Sequence, residues 1–187
     1  MKVFVGLGNP GSRYDNTRHN VGWWALDRIA FDHGFGPFEQ KEHSLVSDGS
    51  MSGQVVRLVK PTTYMNRSGL ALLGLRALTD FSVSADMLVV VDDAVLDVGR
   101  IRMRPSGGSG GHNGLESVEK VLGTEDYPRL RIGVGVRPEH AGLADWVLSP
   151  MPPEDEETVL ALLPEISAGA AVWIDEGIES AMNRLNR

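Results

Sequence analysis

Val3-Phe4-Val5-Gly6-Leu7-Gly8-Asn9-Pro10-Gly11 begins as a short apolar run and ends in glycines. The run reads as a buried strand. Residues 8–20, rich in Gly, Pro, Asn and Ser, read as the loop that leaves its end. The glycines fit G-x-G-x-x-G, the fingerprint of a dinucleotide turn, in which they open a helix whose N-terminus holds a pyrophosphate. Here nine mostly polar residues, Ser12–Asn20, come before the helix. No second strand ends in an acidic residue about 20 positions further on, where the ribose contact is expected. The context therefore speaks against a nicotinamide oxidoreductase. It leaves open why Asn9, Arg18, His19 and Asn20 crowd the same strand end.

Working outward, Val21–Phe31 reads as a helix, with Val21, Ala25 and Ile29 four apart and Gly34 and Gly36 beyond its end. Gln54–Val59 is a strand, Pro61–Gly69 a polar loop, and a helix follows to about Leu78. Met87–Val91 is five consecutive apolar residues, which marks a central strand covered on both faces. Gly99–Arg104 is a strand, Ser106–Gly114 a glycine-rich loop, Leu115–Leu122 a helix and Leu130–Val136 a strand. Residues 137–153 read as a loop with one helical turn or two and are a candidate lid. Residues 154–187 read as C-terminal helices with a bend at Pro164. Alternating strands and helices predict an α/β protein: one three-layer domain over residues 1–187, with a twisted, mostly parallel central sheet flanked by helices.

The chain has 187 residues and no cysteine, so disulfides, Cys-based zinc sites and a Cys nucleophile are all excluded. The five histidines, at 19, 33, 43, 112 and 140, show no metal-ligand spacing, and no metal is expected. With no signal-peptide pattern and no apolar run near the length of a bilayer span, a cytoplasmic protein without a membrane partner is expected. The net charge of −7 argues at first against a nucleic-acid partner. Residues 154–187 alone carry −6, however, while residues 99–137 carry +3. A basic surface is therefore compatible with the total.

Sites in open parallel sheets form at the carboxyl ends of the strands. The first such loop supplies Asn9, His19 and Asn20; the second supplies Asp92 and Asp93; the third, Gly107–Gly114, supplies Asn113. The Pro61–Gly69 loop adds Asn66. A histidine beside a carboxylate is a general-base arrangement, because the carboxylate fixes the imidazole tautomer. No serine sits in a nucleophile elbow, so a bound water is the expected nucleophile. Asparagine amides can donate to an oxyanion and also grip a substrate backbone. Each residue also has an ordinary explanation. A lone histidine is more often structural than catalytic, aspartates cap turns, and asparagines fill them. His112 could do no more than stiffen its loop.

Arg100, Arg102 and Arg104 alternate with Ile101 and Met103, which places the three guanidinium groups on one strand face. Arg129 and Arg131 repeat the pattern. A solvated strand face would explain either run alone. Two runs flanking a glycine-rich loop favour phosphate binding. No aromatic residues interleave with them, so recognition of an RNA backbone is expected rather than base reading.

At this point the sequence resembles the bacterial peptidyl-tRNA hydrolase family. The stretches that carry the resemblance are Val5–Gly11, Tyr14, Thr17-Arg18-His19-Asn20-Val21-Gly22, Pro61–Gly69, Gly110-Gly111-His112-Asn113-Gly114-Leu115 and Arg129–Gly133, in the family's order and across almost the whole chain. The resemblance implies a monomer that acts on peptidyl-tRNA, not DNA. It implies hydrolysis of the ester between the peptide and the 3′-terminal ribose, with no cofactor. It implies His19 as catalytic base and Asp92 as its carboxylate partner. Asn9, Asn66 and Asn113 would hold the peptide and position the water, with Tyr14 and Met65 lining the cleft. Arg104 and Arg131 would contact tRNA, and Arg102 shares the face of Arg104. A non-catalytic RNA-binding protein on the same scaffold is the alternative. One departure stands out. The family pattern D-[DE]-L-D-L-P is here Asp92-Asp93-Ala94-Val95-Leu96-Asp97, so its later aspartate falls on Val95 and its proline is absent.

Overall fold

The computed structural model describes residues 1–186. Seven strands form one sheet: β1 (Lys2–Gly6), β2 (Glu39–Gln40), β3 (Ser44–Met51), β4 (Gln54–Pro61), β5 (Met87–Asp93), β6 (Ile101–Arg104) and β7 (Arg129–Gly133). Their order is β2-β3-β4-β1-β5-β7-β6. The four central strands run parallel, β1 pairing with β4 and β5, and β5 with β7. The outer pairs β2–β3, β3–β4 and β6–β7 are antiparallel. The expected sheet is therefore present, parallel in its centre and mixed at both edges.

The sheet's two faces follow from alternation along the strands. On one face Phe4, Leu58, Leu88, Val90, Met103 and Leu130 pack under three helices, α1 (Val21–Asp32), α5 (Pro153–Glu176) and α6 (Ile178–Leu185). On the other face Val3, Val5, Val59, Val89 and Val91 pack under the Met65–Ala77 helical segment and α3 (Asn113–Leu122). The short helices α2 (Val83–Asp86) and α4 (Leu143–Val147) lie in connections. Helix α1 sits unusually close to the sheet. A Cβ on Gly22 would come within 2.5 Å of the Val90 carbonyl oxygen and 2.6 Å of that of Leu7. This contact sets the start of α1 against the ends of β1 and β5.

Several boundaries differ from the sequence reading, each for a physical reason. Strands β2 and β3 escaped it. The second half of β3, Ser47-Asp48-Gly49-Ser50, is polar and poor in β-formers, and its order comes from pairing with β4. The β3–β4 hairpin turns at Ser52-Gly53, both with positive φ, as a two-residue turn demands. Residues 65–77 are helical earlier than expected, kinked at Arg67. Helix α5 runs on through Pro164, and the break falls instead at Gly177, where φ is +91°. By length and composition α5 could cross a bilayer, which revises the reading that no apolar stretch is long enough. In this fold its apolar stripe, Val159, Leu163, Ile166, Ala170 and Trp173, faces the sheet and α1. Strand β6 starts at Ile101, so Arg100 lies in the turn before it. At the β6 edge, the Asn186 carboxamide bonds Met103 twice. Its Oδ1 accepts from Met103 N at 2.6 Å and its Nδ2 donates to Met103 O at 3.0 Å.

Candidate functional site

The carboxyl ends of β1, β4, β5 and β7 open into one cleft of about 960 Å³. Asn9, Tyr14, His19, Met65, Asn66, Asp92 and Asn113 line it, as do Arg102, Arg104 and Arg131, whereas Asn20 is buried behind Asn9 and does not.

Asn9 leaves β1 on a backbone clamped by Asn20. The Asn9 N–H donates to Asn20 Oδ1 at 2.9 Å, and Asn20 Nδ2 donates back to the Asn9 carbonyl at 3.0 Å. The Asn9 side chain accepts at Oδ1 from the Met65 N–H at 2.7 Å. These bonds fix the amide's direction and leave its NH2 for the cleft. The residue before Met65, Tyr64, holds a left-handed φ of +63° and stands half-exposed on the rim, edge-on to Tyr14. A non-glycine side chain is uncommon in that conformation.

His19 lies in a single 3-10 turn, Arg18–Asn20, and is 6% exposed. Its Nδ1 is 2.7 Å from Asp92 Oδ1. The same oxygen is 2.8 Å from Nε2 of His112. The His112 tautomer is fixed from its other nitrogen. Nδ1 caps α3, accepting from the N–H groups of Gly114 and Leu115 at 3.1 and 3.3 Å. That nitrogen therefore holds no proton, and Nε2 donates to Asp92. With one donor from each imidazole on Asp92, His19 donates from Nδ1 and keeps Nε2 as an acceptor. Gly114 allows the close fit: a Cβ there would meet Met65 Sδ at 2.5 Å.

Asp92 is buried at the end of β5. Burial alone would raise its carboxyl, but the two imidazoles outweigh that and hold it well below the usual carboxylate range. Asp93 has a different task. Its Oδ1 accepts from Val95 N at 2.9 Å, and Oδ2 lies 3.6 Å from Arg131 Nη1. Further bonds from Val134 N to Asp93 O and from Arg137 N to Ala94 O pin the turn. Val95, 74% exposed, therefore ends on the cleft rim without disturbing Asp92. Asp92, and not Asp93, is therefore the aspartate in contact with His19.

Among the described residues, His19, Asp92 and His112 form the one group that could hold a metal ion, with ligand atoms within 4.8 Å of one another. Spacing along the sequence gave no hint of it, because the two histidines are far apart in the chain. Each nitrogen facing Asp92 carries the proton of a hydrogen bond rather than a free lone pair, so the donor set fits a proton relay better than a cation.

The basic end splits by burial. Arg102 and Arg104 alternate with buried Ile101 and Met103 and stay exposed. Arg129, cross-strand from Arg104, is 1% exposed and bonds the carbonyls of Gly108 and Glu125. Arg131 donates to the carbonyls of Gly108 and Ser109 at 3.1 Å each. Arg129 is thus a brace for the glycine-rich loop, a correction to its reading as surface, and Arg131 combines brace and cleft wall. The sequence reading undervalued His112. The signal was its position directly before Asn113 in a loop already singled out.

A family model described as Peptidyl-tRNA hydrolase matches residues 3–187. The chain belongs to the peptidyl-tRNA hydrolase family. It is 42% identical over 186 residues to the peptidyl-tRNA hydrolase of Chloroflexus aggregans, covering 100% of this chain and 99% of that one. With the relative from Desulforudis audaxviator it shares 45% identity, covering 100% and 93%. The crystal structure of peptidyl-tRNA hydrolase from Acinetobacter baumannii superimposes with a TM-score of 0.92 at 30% identity, covering 100% of this chain and 94% of that one. The resemblance read from five motifs thus extends over the whole fold.

Proposed function

We propose that this family member hydrolyses the ester between the peptide and the 3′-terminal ribose of peptidyl-tRNA with a water activated by His19. The observation that carries the reading is the imidazole of His19, held by Asp92 at one nitrogen while the other, with no partner among the described residues, belongs to a residue lining the cleft. Nε2 takes a proton from the water as its oxygen attacks the ester carbonyl carbon. Negative charge then develops on the carbonyl oxygen, and the Asn9 NH2 supplies a donor already oriented by Met65 N. As the tetrahedral intermediate collapses, the carbon–oxygen bond to ribose breaks. The imidazolium returns its proton to the ribose 3′-oxygen. The peptide leaves as the acid, which loses its remaining proton to solvent and becomes the carboxylate, and the tRNA leaves with its 3′-hydroxyl restored.

Asn66 and Asn113, both exposed in the cleft, hold the peptide backbone in this reading. Amides suit that role because each offers donor and acceptor whatever the peptide side chains are. Tyr14 and Met65 flank them. Arg102, Arg104 and Arg131 take the tRNA phosphates, and the segment 137–153 forms the cleft's covering wall. The protein works as a cytoplasmic monomer in one domain, without a metal.

The test is release of peptide from N-blocked aminoacyl-tRNA in buffer containing a chelator. The His19→Ala variant should lose about 10²-fold or more in rate, the scale of general-base catalysis, while still binding substrate. Near-normal turnover by that variant would remove His19 from the mechanism. Tight RNA binding with no turnover by the unaltered protein would favour a non-catalytic role.

A further inference from the structure

Arg18, next to His19 in the same 3-10 turn, is 3% exposed, and no carboxylate lies within ion-pair distance of it among the described residues. Its partners are carbonyls, one hydroxyl and a ring. Nε donates to Val134 O at 3.2 Å, just past β7. Nη1 faces Trp146 O, Ser149 O and Pro150 O at 3.0–3.5 Å and bonds the Ser149 hydroxyl. The guanidinium carbon sits 3.6 Å over the Trp146 ring, whose indole N–H is bound to Gly135 O at 3.1 Å. The backbone adds two links, Arg18 N to Ser149 O at 3.1 Å and a bridge between Thr17 and Pro150.

Burying a cation against neutral acceptors is costly unless the acceptors are many and well placed. Arginine meets that condition because its planar fork serves several carbonyls while its face stacks on an aromatic ring. The elements it joins are the functional ones. Helix α4 gives the cleft Leu143, Ala144 and Val147, with Leu148 following it, while the turn gives His19. Both meet at one side chain.

We propose that Arg18 is a positioning residue, a latch that holds the α4 wall of the cleft in register with His19. The wall that receives the substrate and the base that attacks it are thereby fixed as one body. Their relative placement sets the reaction geometry, where a displacement of about 1 Å can cost on the order of 10²-fold in rate. The inference rests on His19 acting as the base.

The experiment compares the full-length protein with Arg18→Lys, Trp146→Phe and Trp146→Ala on N-blocked aminoacyl-tRNA, reading kcat and KM separately, with melting temperature and amide exchange over 143–150. Lysine keeps the charge and loses the fork. Arg18→Lys should lower kcat about 10-fold or more, change KM less than about threefold, and speed exchange over 143–150. Trp146→Phe keeps a ring under the guanidinium and should stay within about threefold of the parent kcat, whereas Trp146→Ala should follow Arg18→Lys. Unchanged kcat in folded Arg18→Lys and Trp146→Ala would overturn the latch, as would a rise in KM alone, which would make α4 a binding surface and nothing more. If Arg18→Lys does not fold, the Trp146 pair decides. Activity surviving in His19→Ala would instead remove the underlying mechanism, a result separate from any of these.

Discussion

At the scale of single residues, the site depends on how protons are assigned around one carboxylate. Asp92 receives both imidazoles, so replacing it by Asn leaves the shape and scrambles the tautomers. The Asp92→Asn variant should lose about 10²- to 10⁴-fold in kcat in the peptide-release assay, with little change in fold. The same carboxylate links stability to pH. Its folded value lies below the unfolded one of about 3.9, so its contribution is present above that pH and drains away as the pH falls. Denaturant midpoints should therefore drop more steeply below pH 4 in the parent than in Asp92→Asn. Tyr127 shows the opposite sign. Among the described residues its buried hydroxyl has no partner within hydrogen-bonding geometry, although the Arg129 guanidinium lies close by, and burial pushes the hydroxyl up to about 12. The unfolded chain ionises first, so this group's stabilisation is full below pH 10 and is lost as the pH climbs toward 12. Tyr127→Phe should leave stability at pH 7 unchanged or raise it by about 1 kcal/mol, and should flatten the alkaline loss. A clear fall in melting temperature at pH 7 would mean that the hydroxyl has a partner.

At the scale of elements, β6 and β7 carry arginines on the same face yet divide their work. Arg102 and Arg104 are exposed, and Arg129 is sealed under the glycine-rich loop. The double variant Arg102→Ala/Arg104→Ala should weaken tRNA binding and lower the slope of log K against log salt by about 2, roughly 1 for each lost phosphate contact. Arg129→Ala should instead lower the melting temperature and leave the salt slope nearly alone. The sequence could reveal the alternation in β6, because a period of two is written in the residues themselves. It could not reveal which guanidinium is buried, since that depends on a loop folding back from residues 108 and 125. The same limit explains the strands. β5 announces itself with five apolar residues, whereas β3 is ordered by its neighbour and has no apolar pattern of its own. Asn9, His19, Asn66, Asp92 and Asn113 were legible as cleft residues because polar groups gather in the sequence where the strands end. His112 and Arg18 were undervalued because their importance comes from contacts far away in sequence, with Asp92 and with Trp146.

At the scale of the whole molecule, the net charge of −7 is arranged by layer. The acidic first turn of α5 belongs to the layer behind the sheet, where Ile101 and Met103 point, while Arg102 and Arg104 face the cleft in front. An acidic total is therefore compatible with the proposed role of Arg102 and Arg104, since charges of opposite sign lie on opposite sides of the sheet. The bonds of Asn186 to both backbone groups of Met103 have a consequence for this arrangement. A border strand with bare amides invites a second chain to add to it, and β6 borders the sheet on its arginine side. The carboxamide of Asn186 imitates one peptide unit of such a visitor and takes its place. Asn186→Ala should bare that position, and light scattering at high protein concentration should reveal slow self-assembly that the parent lacks. Asn186 would then serve as a built-in guard against polymerisation, on the border strand whose arginines are proposed to meet RNA.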